Sequence, residues 1–188
     1  MVVLGIDPGL ANTGYGVVAR RDGRLLALDG GVVATAAGLA LERRLALIAQ
    51  RIGAVLAEHD CQAMALEQLY FGENAQSAFA VGHARGVAML AAGERGLSCA
   101  SYTPQQVKAA VCGNGRAGKQ QVARMVQRLL DLPQAPTPDH AADALAVAIC
   151  HLNCSPLSAA IAKAAPSPGG RRAGRGEAIA AGLARSAR

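Results

Sequence analysis

Residues 1–9, MVVLGIDPG, constrain this chain more than any other stretch. Val2, Val3, Leu4 and Ile6 form a short apolar run. Such a run reads as a strand buried on both faces, the central strand of an open sheet. It ends on one acid, Asp7, followed by Pro8 and Gly9. A carboxylate is costly there unless something positive meets it. In open α/β sheets, ligands collect outside the carboxyl ends of the strands. Asp7 therefore stands where chemistry is expected.

The elements follow from pattern. Ala11 to Gly16 reads as a turn feeding a second strand through Val17 and Val18. Asp22-Gly23 is a hairpin signal, and a third strand begins at Leu25 and runs to Val33. Leu41, Leu45, Ile48, Ile52 and Val55 recur at helical spacing. Met64 to Leu66 is another buried strand, ending in Glu67. A helix between two strands implies a right-handed crossover and parallel pairing, which puts Asp7 and Glu67 at one sheet edge.

Asn74 to Ala92 reads as a helix in which Gly82 and Gly86 make a smooth strip. Each glycine costs a helix about 1 kcal/mol, so a packing return is expected, at a subunit interface or within the chain. Leu97 to Ala100 is a fifth strand. Thr103-Pro104-Gln105-Gln106 has the form of a capping box with proline at the first helical position. A glycine-rich basic loop follows at Gly113–Gly118, then a helical stripe from Val122 to Leu130. Thr137 can cap a last core helix, with Pro138 at its first position, running from about Asp139 to His151. The order predicts a three-layer α/β domain, residues 1–153, on a five-stranded mixed sheet: three antiparallel strands, then parallel ones, flanked by helices. Residues 154–188 read as a basic Ala/Gly/Arg-rich tail, largely disordered.

Charge matters through its placement. The net charge is +6. Lys163, Arg171, Arg172, Arg175, Arg185 and Arg188 in the tail face Glu177 alone, so the rest is close to neutral. Yet Arg95, Lys108, Arg116, Lys119, Arg124 and Arg128 occur with no acid between Glu94 and Asp131. That basic stripe, beside acids elsewhere, suits an enzyme that holds a polyanion and cuts it with metal; the alternative is a solvated helix face. No run is long and apolar enough to span a bilayer, and no signal peptide is read, so a cytoplasmic location is expected. The odd cysteine count argues for reduced thiols. Cys150 and Cys154 read as small buried hydrophobes rather than zinc ligands.

The last core helix carries Asp139, His140 and Asp143 on a body that is otherwise almost uniformly apolar. Asp139 is explained by the helix dipole. Asp143 lies past the first turn, so a ligand explains it better. With Asp7 and Glu67, His140 and Asp143 give three carboxylates and one imidazole. Hard oxygen donors favour Mg²⁺ or Mn²⁺ over zinc. Two such ions, about 3.5–4 Å apart, can drive phosphodiester hydrolysis.

Four segments now carry a resemblance: GIDPGLANTGYG at 5–16, ALEQLYFGENAQSAFAVGHARGVAM at 65–89, YTPQQVKAAVCGNGRAGKQQVARMV at 102–126 and DHAADALAVAI at 139–149. Together, and in this order, they resemble the RuvC family of bacterial Holliday-junction resolvases over about residues 1–152. The resemblance implies an RNase H-like fold and a homodimer that cuts two opposed strands of four-way junction DNA with Mg²⁺ or Mn²⁺, two ions per subunit. It also implies a partnership with the RuvA and RuvB branch-migration proteins. By matching motifs it puts Asp7, Glu67, His140 and Asp143 at the catalytic, metal-holding positions. Lys108 and Lys119 match family lysines that approach phosphate. Tyr70 and Phe71, an adjacent pair in a chain with 3% aromatics, suit a wedge that stacks on a base. Arg116 joins the DNA-binding set from the basic loop.

Other readings compete. GIDPG with a following Thr-Gly resembles the phosphate loop of the actin and sugar-kinase superfamily, but those proteins close two lobes around ATP and this chain has room for one. A non-cutting junction-binding module, or an RNase H-like nuclease acting on other branched nucleic acid, would share most of these features.

Overall fold

The computed structural model describes residues 1–68 and 75–164, without the side chains of residues 75–77 and 155–164. Met1–Pro156 form one compact unit, and Leu157–Arg188 are grouped apart from it. Five strands and five helices appear among the described residues: β1 (Val2–Asp7), β2 (Asn12–Arg21), β3 (Arg24–Ala34), α1 (Leu41–Glu58), β4 (Ala63–Glu67), α2 (Ala75–Gly93), β5 (Ser98–Tyr102), α3 (Pro104–Cys112), α4 (Lys119–Leu129) and α5 (Asp139–Ala164). No described helix is long and apolar enough to cross a membrane.

The strand order is β3-β2-β1-β4-β5. β1 pairs antiparallel with β2 and parallel with β4, and β4 pairs parallel with β5. The N-terminal run is therefore central, as its two-sided apolarity predicts. Asp22 and Gly23 both take positive φ at the β2–β3 turn, which a tight hairpin demands. Thr103 accepts from the Gln106 backbone while the Gln106 side chain accepts from Thr103, so the capping box is complete.

Alternation along the strands decides which layer each residue joins. Leu4, Ile6, Met64 and Leu66 pack with Ile48, Ile52 and Val55 of α1 and Ala84 and Ala88 of α2. Val3, Ala63 and Ala65 pack on the other side with Val107, Val122, Val126 and the apolar body of α5. Asp7 continues the parity of Val3, and Glu67 that of Ala63 and Ala65. Both acids therefore share the face covered by α3, α4 and α5.

Glycine lets α5 reach that face. A Cβ on Gly5 would run into the Ala144 carbonyl, one on Gly14 into the His140 carbonyl, and one on Gly16 into Leu145. Alanines on α5 and glycines on β1 and β2 thus set the helix against the backbone of the sheet itself. The close approach puts the first turns of α5 beside the end of β1.

The structure differs from the sequence reading at three edges. β5 runs to Tyr102, because its pairing with β4 continues through Glu67. Pro138 precedes α5 rather than opening it: its carbonyl accepts from Ala141 at 2.9 Å and Ala142 at 3.4 Å. α5 continues to Ala164, past the expected end at His151. The expected domain end at 153 lies inside this helix; most of the tail lies outside the described residues.

Candidate active site

Each candidate acid sits where an element ends. Asp7 closes β1, and Glu67 closes β4. The register makes them neighbours, since each follows the paired residues Ile6 and Leu66 by one. His140 and Asp143 lie one turn apart near the start of α5. All four line one cleft of ≈ 310 Å³.

The closest contact within it joins Asp7 Oδ2 to His140 Nδ1 at 2.8 Å. Lys119 Nζ lies 3.9 Å from Asp143 Oδ2, with its side chain largely in solvent. Lys108 lines the same cleft from α3. Pro104, Val107, Val122 and Val147 supply the apolar wall. That wall limits how well water can solvate the charges, and the electrostatics register it. Burial pushes the Glu67 carboxyl from 4.5 up to about 7, with Asp7 and Asp143 adding to the rise and Lys119 and Lys108 opposing it. The Asp143 carboxyl is also raised, first by burial and then by Asp7, against the pull of Lys119.

The side chains share the cleft without closing on a point. The one set of three metal-ligating atoms within 4.8 Å of one another, among the described residues, belongs to Asp29, Glu58 and His59. There the Arg51 guanidinium, 3.5 Å from Asp29 Oδ2, already supplies positive charge. In the cleft the carboxylates repel each other, and Asp7 turns one oxygen to His140. A site with three acids, two of them raised by burial and by the nearby Asp7, is short of positive charge. That deficit and the oxygen-rich donor set fit a hard divalent cation held by Asp7, Glu67, His140 and Asp143.

The other expected residues divide. Arg116 is exposed on the loop between α3 and α4, where its N–H donates to Asn114 Oδ1 at 3.0 Å. Tyr70 and Phe71 lie outside the described residues. Asp139 is exposed and is not among the cleft-lining residues. Sequence reasoning missed Arg85, whose guanidinium donates to the Glu67 carbonyl at 2.8 Å. An arginine inside an Ala- and Gly-rich helix was the available signal.

Residues 3–151 match the family described as Crossover junction endodeoxyribonuclease RuvC. A protein of that name from Moorella thermoacetica is 51% identical over 156 residues, covering 83% of this chain and 93% of the relative. The Thermus thermophilus RuvC structure matches with a TM-score of 0.78 at 39% identity, covering 84% of this chain and 97% of that one. A structure of T. thermophilus RuvC in complex with Holliday junction substrate matches with a TM-score of 0.78 at 37% identity, covering 84% and 96%.

Proposed function

The chain belongs to the RuvC family of crossover junction endodeoxyribonucleases, and from that premise we propose that it resolves Holliday junctions by metal-dependent hydrolysis of phosphodiesters in two opposed strands. Its place would be in recombination and DNA repair, in the cytoplasm. The observation that carries the reading is the cleft where Asp7, Glu67, His140 and Asp143 meet Lys108 and Lys119.

The acids and His140 would hold the cofactor, which the donor chemistry supports as Mg²⁺ or Mn²⁺, two per subunit. When bound, two such ions activate water for attack on a phosphodiester and stabilise the leaving oxygen. Asp7, at the end of the central strand, would hold metal from the middle of the sheet edge. Glu67 and Asp143 flank it. Because Asp7 engages Nδ1 of His140, Nε2 is left as the nitrogen for a ligand or a proton. The same hydrogen bond fixes the ring's orientation, as carboxylates do for metal-binding histidines. Lys108 and Lys119 would steer the DNA backbone into the cleft and stabilise developing charge. Arg116 would add a phosphate contact from its loop, and Tyr70 and Phe71 would stack on a base beside the site.

Two cuts in opposed strands call for two sites, hence a homodimer. The support is α2. Phe79 and Leu90 are 70% and 63% exposed and lie three helical turns apart on one face. Gly82, Gly86 and Gly93 fall on the same strip, with nothing near an added Cβ. RuvA and RuvB are the partners that family membership leads us to expect. The compact domain would end near residue 153, and 154–188 would form a basic tail.

Incubation with a synthetic mobile four-way junction, with and without Mn²⁺, tests the reading. Symmetric nicks that yield ligatable duplex products support it. Equal cutting of fork or linear duplex would favour a nuclease for other branched DNA, and no cutting at all would reject it.

A further inference from the structure

Arg85 projects from α2 onto the ends of two adjacent parallel strands. Its Nη1 donates to the Glu67 carbonyl on β4 at 2.8 Å. Its Nη2 donates to Ser101 Oγ on β5 at 2.6 Å. Ser101 is paired with Leu66, the residue before Glu67. The other end of the same peptide is held as well, since the Gln68 N–H donates to the Tyr102 carbonyl at 2.7 Å. The backbone is therefore anchored on both sides of the Glu67–Gln68 peptide, on the strand edge where β1 pairing has already stopped at Ile6.

Arginine suits this position for a reason of shape. The planar fork offers several donors at fixed angles, so one side chain can span two acceptors. A lysine ammonium is a point donor on a flexible stem. The cations acting on the Glu67 carboxyl itself are Lys119 and Lys108. Arg85 instead touches the backbone that carries the carboxyl.

We propose that Arg85 is a positioning residue: by clamping the Glu67 carbonyl to Ser101 it fixes the direction in which the Glu67 side chain leaves β4, and it couples that direction to α2. This rests on the proposed function in taking Glu67 as a metal holder. It goes further by assigning a role to a residue that holds no metal, and by linking the site to the helix whose opposite strip carries Phe79 and Leu90. A shift of α2 would then reach Glu67 through one guanidinium.

The test uses the full-length chain stripped of metal, with Arg85→Met, Arg85→Lys and Ser101→Ala. Mn²⁺ affinity is read by paramagnetic resonance of free Mn²⁺, junction affinity by mobility shift in Ca²⁺, and cleavage by single turnover. Residues that orient metal holders cost roughly 10–100-fold when removed, so R85M should weaken Mn²⁺ binding and slow cleavage by about 10-fold or more while junction affinity stays within about twofold. R85K should recover part of the loss, and S101A should show a smaller loss in the same direction. A folded R85M with wild-type Mn²⁺ affinity overturns the proposal. So does a fall in junction affinity that matches the fall in cleavage at unchanged Mn²⁺ affinity, which would make Arg85 a DNA contact. Should R85M fail to fold, wild-type Mn²⁺ affinity in both R85K and S101A overturns it equally. A wild-type chain that binds Mn²⁺ but cuts no junction rejects the proposed function, and the Mn²⁺ titration still reads the role of Arg85.

Discussion

Asp7 Oδ2 and His140 Nδ1 lie 2.8 Å apart although 133 residues separate them. The contact depends on Gly14, because any side chain there would meet the His140 carbonyl. It gives Asp7 and His140 unequal tasks. Asp7 orients the ring, and the ring offers its other nitrogen. His140→Ala should therefore slow junction cleavage by at least the roughly 10–100-fold that follows loss of an orienting partner of a metal site, since it removes the metal-holding nitrogen itself. Asp7→Asn should cost more, since it removes a carboxylate that would hold metal and also weakens the contact that orients the ring. Both should keep junction affinity in a mobility-shift assay. Loss of binding in step with cleavage would count against the assignment.

With Glu67 as a proposed metal holder, metal affinity should depend on pH. Its carboxyl is raised to about 7, mainly by burial. Metal requires the ionised form, so binding must expel a proton whenever the pH lies below that value. Mn²⁺ affinity should weaken as pH falls from about 8 to 6, by up to tenfold per pH unit below the pKa if one proton is released. Calorimetry in buffers of different ionisation enthalpy would detect the proton. Glu67→Gln should bind Mn²⁺ weakly but with a flatter pH dependence over that interval. A wild-type affinity independent of pH would contradict the raised carboxyl.

Most of this arrangement was legible in the sequence, for identifiable reasons. β1 and β4 each end an apolar run on an acid, and that pattern survives without any knowledge of the helices. The capping box at Thr103 and the Asp22-Gly23 hairpin are local chemistry and were readable as such. What sequence could not give was the facing of each residue. Asp7 and Glu67 share a layer with α5 only because of strand parity and the close seat on Gly5, Gly14 and Gly16. Arg85 was missed because its partners are a backbone carbonyl and a serine on two different strands, and periodicity says nothing about those. The end of α5 was set too early because the Ala/Gly/Arg-rich composition from residue 154 onward read as a tail, whereas the helix continues to Ala164.

The glycine seat predicts a loss of function that starts as a packing fault. A Cβ at Gly14 would overlap the His140 carbonyl, and one at Gly5 the Ala144 carbonyl. Both obstacles are backbone, so the helix must move. Overfilling of this kind costs about 1–3 kcal/mol. Gly14→Ala should lower stability by that amount in urea titration. It should slow cleavage by more than the remaining folded fraction explains, because displacing α5 carries His140 from Asp7. Gly14→Ala with wild-type cleavage would show that the seat does not hold the site.

His151 predicts an acid limit to stability that has nothing to do with metal. It is buried on α5, and its Nδ1 lies 2.9 Å from the Tyr102 hydroxyl. Burial lowers its pKa below the ordinary 6.5. The unfolded chain then takes up a proton before the folded one does, so this residue's contribution is complete above about 6.5 and is lost as pH falls through the folded value. In EDTA, wild-type melting temperature should drop more steeply below pH 6.5 than that of His151→Phe. Tyr102→Phe removes the hydroxyl partner and should cost about 0.5–1.5 kcal/mol at neutral pH. Parallel melting curves for wild type and H151F across pH 5–7 would remove His151 from the account.

The exposed strip of α2 predicts how the two cuts are coordinated. Phe79 and Leu90 are large apolar side chains left in solvent, on a helix whose inner face is already packed by Ala84 and Ala88. Burying each against a second subunit is worth about 1.5–3 kcal/mol. A charge at that position would instead have to be desolvated without a partner. Leu90→Glu, and Phe79→Glu with it, should shift sedimentation from dimer to monomer at micromolar concentration, while the fold, read by circular dichroism, stays intact. The monomer should keep its cleft and so keep wild-type Mn²⁺ affinity. It should nick one strand of a junction without the matched second cut, leaving nicked junctions in place of resolved duplexes. Full resolution by a variant shown to be monomeric would detach the strip on α2 from strand coordination. A dimer that survives both charges would move the subunit contact to another face.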